Sequence, residues 1–187
     1  KEVNSMKDEI IIAGFGGQGV LSMGKILAYA ALENDQEVTW MPSYGPEQRG
    51  GTANVTVILS TDPISSPVLD SYDTAVILNQ QSLDKFESHV KPGGVLIYDP
   101  YDIRRAPTRT DITVVPVNAM EGTIAMGQSK AYNMILLGAL LAMRPDVPVE
   151  AVVRGLKKAL PERHHHLIPV NEQAIRKGME LVAELRK

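Results

Sequence analysis

Glu9–Leu32 reads EIIIAGFGGQGVLSMGKILAYAAL, and this stretch decides the fold. Glu9–Ala13 is a short β-branched run, the mark of a buried strand. Val20–Leu32 has helical spacing, with Leu21, Ile26 and Leu27 toward a core and Ala28, Ala30 and Ala31 small enough for close packing. Between them Gly14, Gly16 and Gly19 match G-x-G-x-x-G, with Gly17 adding a fourth glycine. Glycine permits positive φ in a tight turn. It also lets backbone N–H groups approach an anion at the positive end of a helix. The spacing leaves two readings open: an anion site, or a turn that only packs helix on strand. Gln18 lies within the loop, where its amide either bonds to a ligand or partner backbone or faces solvent at the helix start.

The dinucleotide form of this motif also needs an acid at the end of the second strand, for the ribose hydroxyl. That strand, Glu37–Met41, ends Thr39-Trp40-Met41-Pro42, and Asp35 and Glu37 sit at its start. NAD is therefore discounted. Further along, Ala53–Ser60, Thr74–Leu78, Val95–Tyr98 and Ile112–Val117 read as strands. Gln80–Val90, Lys130–Met143, Val149–Leu160 and Asn171–Lys187 read as helices. This order predicts a single α/β domain, Rossmann-like, with a mostly parallel sheet flanked by helices. Ala53–Ser60 follows the second strand through one loop and is a candidate antiparallel insertion.

That loop, Pro42-Ser43-Tyr44-Gly45-Pro46-Glu47-Gln48-Arg49-Gly50-Gly51-Thr52, is the most unusual segment. Two prolines and three glycines constrain its path, and functional residues concentrate on loops placed by a rigid scaffold. In a parallel sheet it leaves the carboxyl end of the second strand, beside the glycine turn, where open α/β sheets bind ligands. Arg49 suits a phosphate or carboxylate; the plainer reading is a surface pair between Glu47 and Arg49.

Composition bounds the rest. The chain has 187 residues, 44% hydrophobic and 22% charged, with net charge −3. That is a globular balance and lacks the basic excess of general nucleic-acid binders. There is no cysteine, which excludes disulfides, a cysteine nucleophile and a self-contained iron–sulfur cluster. The longest apolar run, Met134–Met143, is too short to span a bilayer. The mixed-charge start followed by a strand-like run is not expected to be a signal peptide. No membrane association and a cytoplasmic location are expected.

Gly14-Phe15-Gly16-Gly17-Gln18-Gly19, Pro42-Ser43-Tyr44-Gly45-Pro46-Glu47 and Arg49-Gly50-Gly51 occur together at this spacing. Together they resemble the γ subunits of pyruvate, 2-oxoglutarate and branched-chain 2-oxoacid:ferredoxin oxidoreductases, and most of all the 2-oxoglutarate subgroup. Ile64-Ser65-Ser66-Pro67, Pro92-Gly93-Gly94, Asn133 with Leu137-Gly138-Ala139, and Asn171 with Ala174 and Gly178 extend the resemblance over nearly the whole chain. Indolepyruvate enzymes have a related subunit. The resemblance implies α and β partner subunits that hold thiamine diphosphate and magnesium, and a ferredoxin-type subunit or ferredoxin. It also implies iron–sulfur clusters on partners and an acyl transfer to coenzyme A. It places Gly14, Gly16, Gly17, Gln18, Gly19, Tyr44, Arg49 and Gly50 at a ligand or partner surface, with no catalytic residue and no metal ligand assigned. Alone, the chain should be inactive, with self-association open.

Other candidates have plainer readings. Adjacent residues of His164-His165-His166 on an extended segment would point to opposite faces, so a surface or subunit contact is preferred over a metal. Asp99, Asp102, Arg104 and Arg105 read as a solvated charged loop after a strand. Lys25 reads as a surface lysine, and Asn133 as a core hydrogen bond to a loop. Gly16→Val is expected to impair coenzyme A use or assembly more than Gly24→Ala, which lies within the helix. Neither a hydrolase elbow nor a P-loop lysine follows the glycines. A freestanding dinucleotide oxidoreductase and an assembly scaffold that binds no ligand are the rival functions.

Overall fold

Ile10 and Ile12 face one side of the sheet, Ile11 and Ala13 the other, and all four are fully buried. Side chains alternate along a strand, so a run apolar at every position needs a covering layer on both faces. The computed structural model describes residues 5–44 and 51–187. The strands are β1 (Lys7–Phe15), β2 (Glu37–Tyr44), β3 (Thr52–Ser60), β4 (Tyr72–Ile77), β5 (Val90–Tyr98) and β6 (Thr113–Pro116). The helices are α1 (Val20–Leu32), α2 (Gln80–Phe86), α3 (Ala119–Met126), α4 (Tyr132–Met143), α5 (Val149–Ala159) and α6 (Ile168–Leu185).

The sheet order is β2-β3-β1-β4-β5-β6. β1, β4, β5 and β6 pair in parallel, and β3 runs antiparallel between β1 and β2. The mostly parallel α/β domain is therefore found, with Ala53–Ser60 as the antiparallel insertion. α1 joins the larger core, with Val55, Val57, Val76 and Ile97 from the sheet and residues of α4, α5 and α6. α2 supplies Leu83 and Phe86 to the core on the opposite face. The connections through α1 and α2 leave β1 and β4 in opposite directions along the sheet. Right-handed crossovers then place the two helices on opposite faces. The carboxyl ends of β1 and β4 form the switch point of the sheet.

Several elements differ from the sequence reading: α2 ends at Phe86, short of the expected Val90, and β5 begins at Val90 rather than Val95. β2 continues to Tyr44 through Pro42, which pairs with Val55; β2 is an edge strand, the position where a proline without N–H is tolerated. α4 starts at Tyr132, α6 starts at Ile168, and α3 was not expected.

A charged cluster closes the amino edge of the sheet. Asp8 is 5% exposed and lies 3.1 Å from Nε of Arg144, the residue that caps α4. The Thr74 hydroxyl donates to Asp8 at 3.2 Å, while Arg144 Nε donates to Thr74 at 2.8 Å. Burial outweighs these partners and raises the Asp8 pKa to about 6. The folded state thus holds a proton between about pH 4 and 6 that the unfolded chain has lost. This stabilisation is complete below pH 4 and is lost as pH rises through 6, a change of about 3 kcal/mol. Asp8→Asn should flatten this slope. Urea unfolding of both proteins between pH 4 and 7 checks it, and parallel stability curves would refute the assignment.

Candidate functional site

The glycine turn connects β1 to α1 at the carboxyl edge of the sheet. Gly17 and Gly19 have φ of 93° and 78°, a region that side chains other than glycine rarely occupy. Gly14 has a different constraint. A Cβ there would lie 2.6 Å from Gln18 Oε1 and 2.8 Å from Leu78 Cβ. Gln18 folds back over this position. Its Oε1 accepts the Phe15 N–H at 2.7 Å, and its Nε2 donates to the Leu78 carbonyl at 3.4 Å. The side chain therefore sits half-buried across the β1–β4 switch point, with both amide atoms bonded to backbone.

Gly16 has room: the nearest atom to a Cβ there is the Gly51 carbonyl oxygen, 3.7 Å away. A Cβ on Gly24 would lie 2.6 Å from Val55 Cγ1. Gly24 packs α1 directly on β3, so a side chain there has a packing cost that its place in a helix does not suggest. What Gly16 does supply is its N–H, which donates to the Gly51 carbonyl at 2.9 Å. This bond brings the end of the second loop against the glycine turn. Tyr44, Ala53 and Gly14 form one row across β2, β3 and β1. Arg49 and Gly50, with Glu47, lie outside the described residues.

On its other side the turn opens into a cleft of about 380 Å³. Gly17, Gln18 and Gly19 form one wall, with Met120, Ser129, Lys130, Tyr132 and Asn133 opposite. Gly19 caps α1 without a side-chain hydrogen bond, and the first turn of α1 has no acidic residue. The positive end of the helix dipole is left uncompensated there, and Lys130 adds a full positive charge. The cleft suits an anionic group such as a phosphate or carboxylate. Asn133 donates Nδ2 to the Gly19 carbonyl at 3.3 Å, the loop contact expected of it.

Asp99 departs from the expectation of a solvated loop. It is 2% exposed, whereas Asp102 and Arg104 are exposed and Arg105 pairs with Asp84 and Glu87. Burial pushes its carboxyl up, and hydrogen bonds from the Tyr101 and Met120 N–H groups and the Tyr132 hydroxyl offset part of that rise. Burial and the neighbouring Asp99 raise the Tyr132 pKa strongly, so this phenol keeps its proton. The only sequence signal for Asp99 was its place directly after a strand at the carboxyl edge.

The remaining candidates lie elsewhere. Lys25 is exposed and borders an apolar groove with Tyr29, Leu32 and Trp40. The histidine run forms a 3-10 turn, Glu162–Leu167, where an extended segment was expected. His165 Nε2 lies 2.9 Å from the Leu160 carbonyl oxygen, and the His164 and His166 rings are 6.4 Å apart. Among the described residues no three His, Cys, Asp or Glu side chains group to hold a metal ion, and no helix is long and apolar enough to cross a membrane.

Residues 9–181 match the family described as pyruvate ferredoxin/flavodoxin oxidoreductase. The chain belongs to this family. It is 42% identical over 173 residues to the ketoisovalerate oxidoreductase subunit VorA of Methanothermobacter thermautotrophicus, covering 92% of this chain and 36% of that one. The chain thus spans about a third of that relative's length. With the 2-oxoglutarate synthase subunit KorC of Methanocaldococcus jannaschii it shares 33% identity over 184 residues, 96% of each chain. The crystal structure of the keto/oxoacid ferredoxin oxidoreductase gamma subunit from Geobacter sulfurreducens superposes with a TM-score of 0.81 at 29% identity. That match covers 96% of this chain and 98% of that one. The single α/β domain is therefore one that relatives of this family share.

Proposed function

We propose that this chain is the γ subunit of a cytoplasmic 2-oxoacid:ferredoxin oxidoreductase, of the 2-oxoglutarate type. The complex would oxidatively decarboxylate the 2-oxoacid, pass its electrons to ferredoxin and transfer the acyl group to coenzyme A. The match to KorC over 96% of both chains carries this reading. The higher identity to VorA supports a branched-chain 2-oxoacid as the second reading.

Within the complex, the glycine-turn cleft would form part of the coenzyme A side of the site. Coenzyme A carries phosphates, and the cleft combines the uncompensated N-terminus of α1 with Lys130. Gly14, Gly16 and Gln18 would act by shaping the turn, while Gly17 and Gly19 would bring backbone to the ligand. Tyr44, Arg49 and Gly50 would border the same edge or a partner subunit. Thiamine diphosphate, magnesium and the iron–sulfur clusters are assigned to the partners. This chain has no cysteine, and its described residues offer no acidic metal cluster.

Arg49 tests the second loop. Arg49→Ala should raise either the KM for coenzyme A or the subunit dissociation constant by at least about tenfold, the loss of one charged hydrogen bond. Arg49→Lys should also weaken it, because an ammonium cannot reproduce the planar guanidinium fork. A raised KM with intact assembly assigns Arg49 to the ligand, and weaker assembly assigns it to the interface. If neither constant moves, the loop has no part in the site.

A further inference from the structure

Asp99 directly follows β5, and it is a buried carboxylate that joins three separate segments. One oxygen accepts the Tyr101 N–H at 3.0 Å and the other accepts the Met120 N–H at 2.8 Å, in the first turn of α3. Tyr132, the first residue of α4, lies beside this carboxylate, whose charge helps keep the phenol protonated. Asp99 does not itself line the 380 Å³ cleft, but Met120 and Tyr132 do, on the wall facing Gly17–Gly19. Asn133, one residue beyond Tyr132, is bonded to the Gly19 carbonyl. The first turn of α4 therefore lies between two groups, Asp99 at the end of β5 beside Tyr132 and the glycine turn bonded to Asn133.

We infer that Asp99 is a positioning residue for ligand binding, one that sets the Met120–Tyr132 wall at a fixed distance from the glycine turn. The inference rests on the reading of this cleft as the coenzyme A side of the site. Two backbone donors converge on one group beside the Tyr132 ring, and an ionised carboxylate is the side chain that accepts both without presenting a donor of its own. The two N–H groups bond to different oxygens, so an asparagine would turn its NH₂ toward one of them. One tether would be lost while the volume stayed the same. Removing the Tyr132 hydroxyl would free the α4 side alone. If Asp99 acts through Tyr132, the two losses overlap and do not multiply.

The test uses the assembled complex, with coenzyme A as the varied substrate. Asp99→Asn should raise the KM for coenzyme A about tenfold, as expected for losing one charged hydrogen bond, and Tyr132→Phe should shift it in the same direction. The KM for the 2-oxoacid and kcat should stay within about twofold, because the altered wall shapes binding alone. The double variant should be no worse than Asp99→Asn. Glu87→Gln is the control for plain destabilisation. Glu87 is also buried and accepts the Thr108 and Arg109 N–H groups, but it does not line the cleft. It should lower Tm and leave the KM for coenzyme A alone.

An unchanged KM in Asp99→Asn, an equal rise in Glu87→Gln, or multiplicative effects in the double variant would overturn the inference. If Asp99→Asn fails to assemble, Tyr132→Phe carries the test, since it removes only a hydroxyl. Lys130→Ala separates this inference from the reading beneath it. A raised KM for Lys130→Ala with none for Asp99→Asn overturns the positioning role alone. No change in Lys130→Ala overturns the coenzyme A reading and the positioning role with it.

Discussion

Replacing Gly178 with valine is expected to lower the Tm of this domain by about 6–12 °C or to prevent folding. Gly178 lies in the middle of α6, and a Cβ there would run into the Ile135 carbonyl and come within 2.9 Å of the Ala139 nitrogen on α4. The relation is reciprocal. A Cβ on Gly138 of α4 would run into the Ile175 carbonyl and lie 2.9 Å from its Cα. The two helices therefore cross backbone to backbone, with Ile135 and Ile175 fully buried beside the glycines.

A glycine inside a helix is worth about 1 kcal/mol less than alanine in an exposed position, so propensity alone would favour substitution. At this crossing the opposite holds, because the added atoms meet main chain, which cannot rotate away. Overpacking of a tight core costs about 3 kcal/mol or more at its upper end. A domain of this size loses about 2–4 °C of Tm per kcal/mol. Gly178→Val and Gly138→Val should each lower Tm by about 6–12 °C or prevent folding, and Gly178→Ala should lower it as well. Thermal unfolding of the purified chain checks this. A Tm within about 2 °C of wild type in both valine variants would show that the helices can separate at little cost.

These two glycines illustrate what the sequence made legible. Gly138 beside Ala139 and Gly178 near Ala174 stood out as family resemblance, but neither local pattern says which helix meets which. Their reason is the contact between residues forty apart. β1, the glycine turn and α1 were readable because strand burial, turn and helix amphipathicity are all local there. The approach of the second loop to the glycine turn was also readable. It follows from β3 lying beside β1, and the Gly16–Gly51 bond realises it.

What sequence reading missed depends on distant partners. α3 contains Gly122 and the β-branched Thr123 and Ile124, a weak helix by propensity. It is held by the Asp99 carboxylate at Met120 and ended by Gly127 at φ 63°. Asp99 looked like loop chemistry because none of its partners on α3 or α4 is near it in sequence. Gln18 looked free because its acceptor, the Leu78 carbonyl, comes from β4's far end. The tight packing at Gly24 was not visible either, because it comes from Val55 on the distant β3.

The central claim is that this family member works only within a multi-subunit 2-oxoacid oxidoreductase. The chain has no cysteine to ligate an iron–sulfur cluster. The chain on its own should therefore be colourless and unable to oxidise any 2-oxoacid. The direct measurement is to isolate the tagged chain from its native cell, identify the co-purifying proteins and assay the preparation. The assay follows reduction of a ferredoxin or viologen with 2-oxoglutarate, a branched-chain 2-oxoacid, pyruvate or indolepyruvate, with and without coenzyme A. The expected result is a complex with thiamine-diphosphate-binding subunits, coloured by iron–sulfur clusters and active only with coenzyme A. 2-Oxoglutarate should be the preferred substrate, and activity should disappear when the chain is separated from its partners. Full activity in the separated chain, or a purified complex with no coenzyme A-dependent oxidation of any 2-oxoacid, would contradict the account.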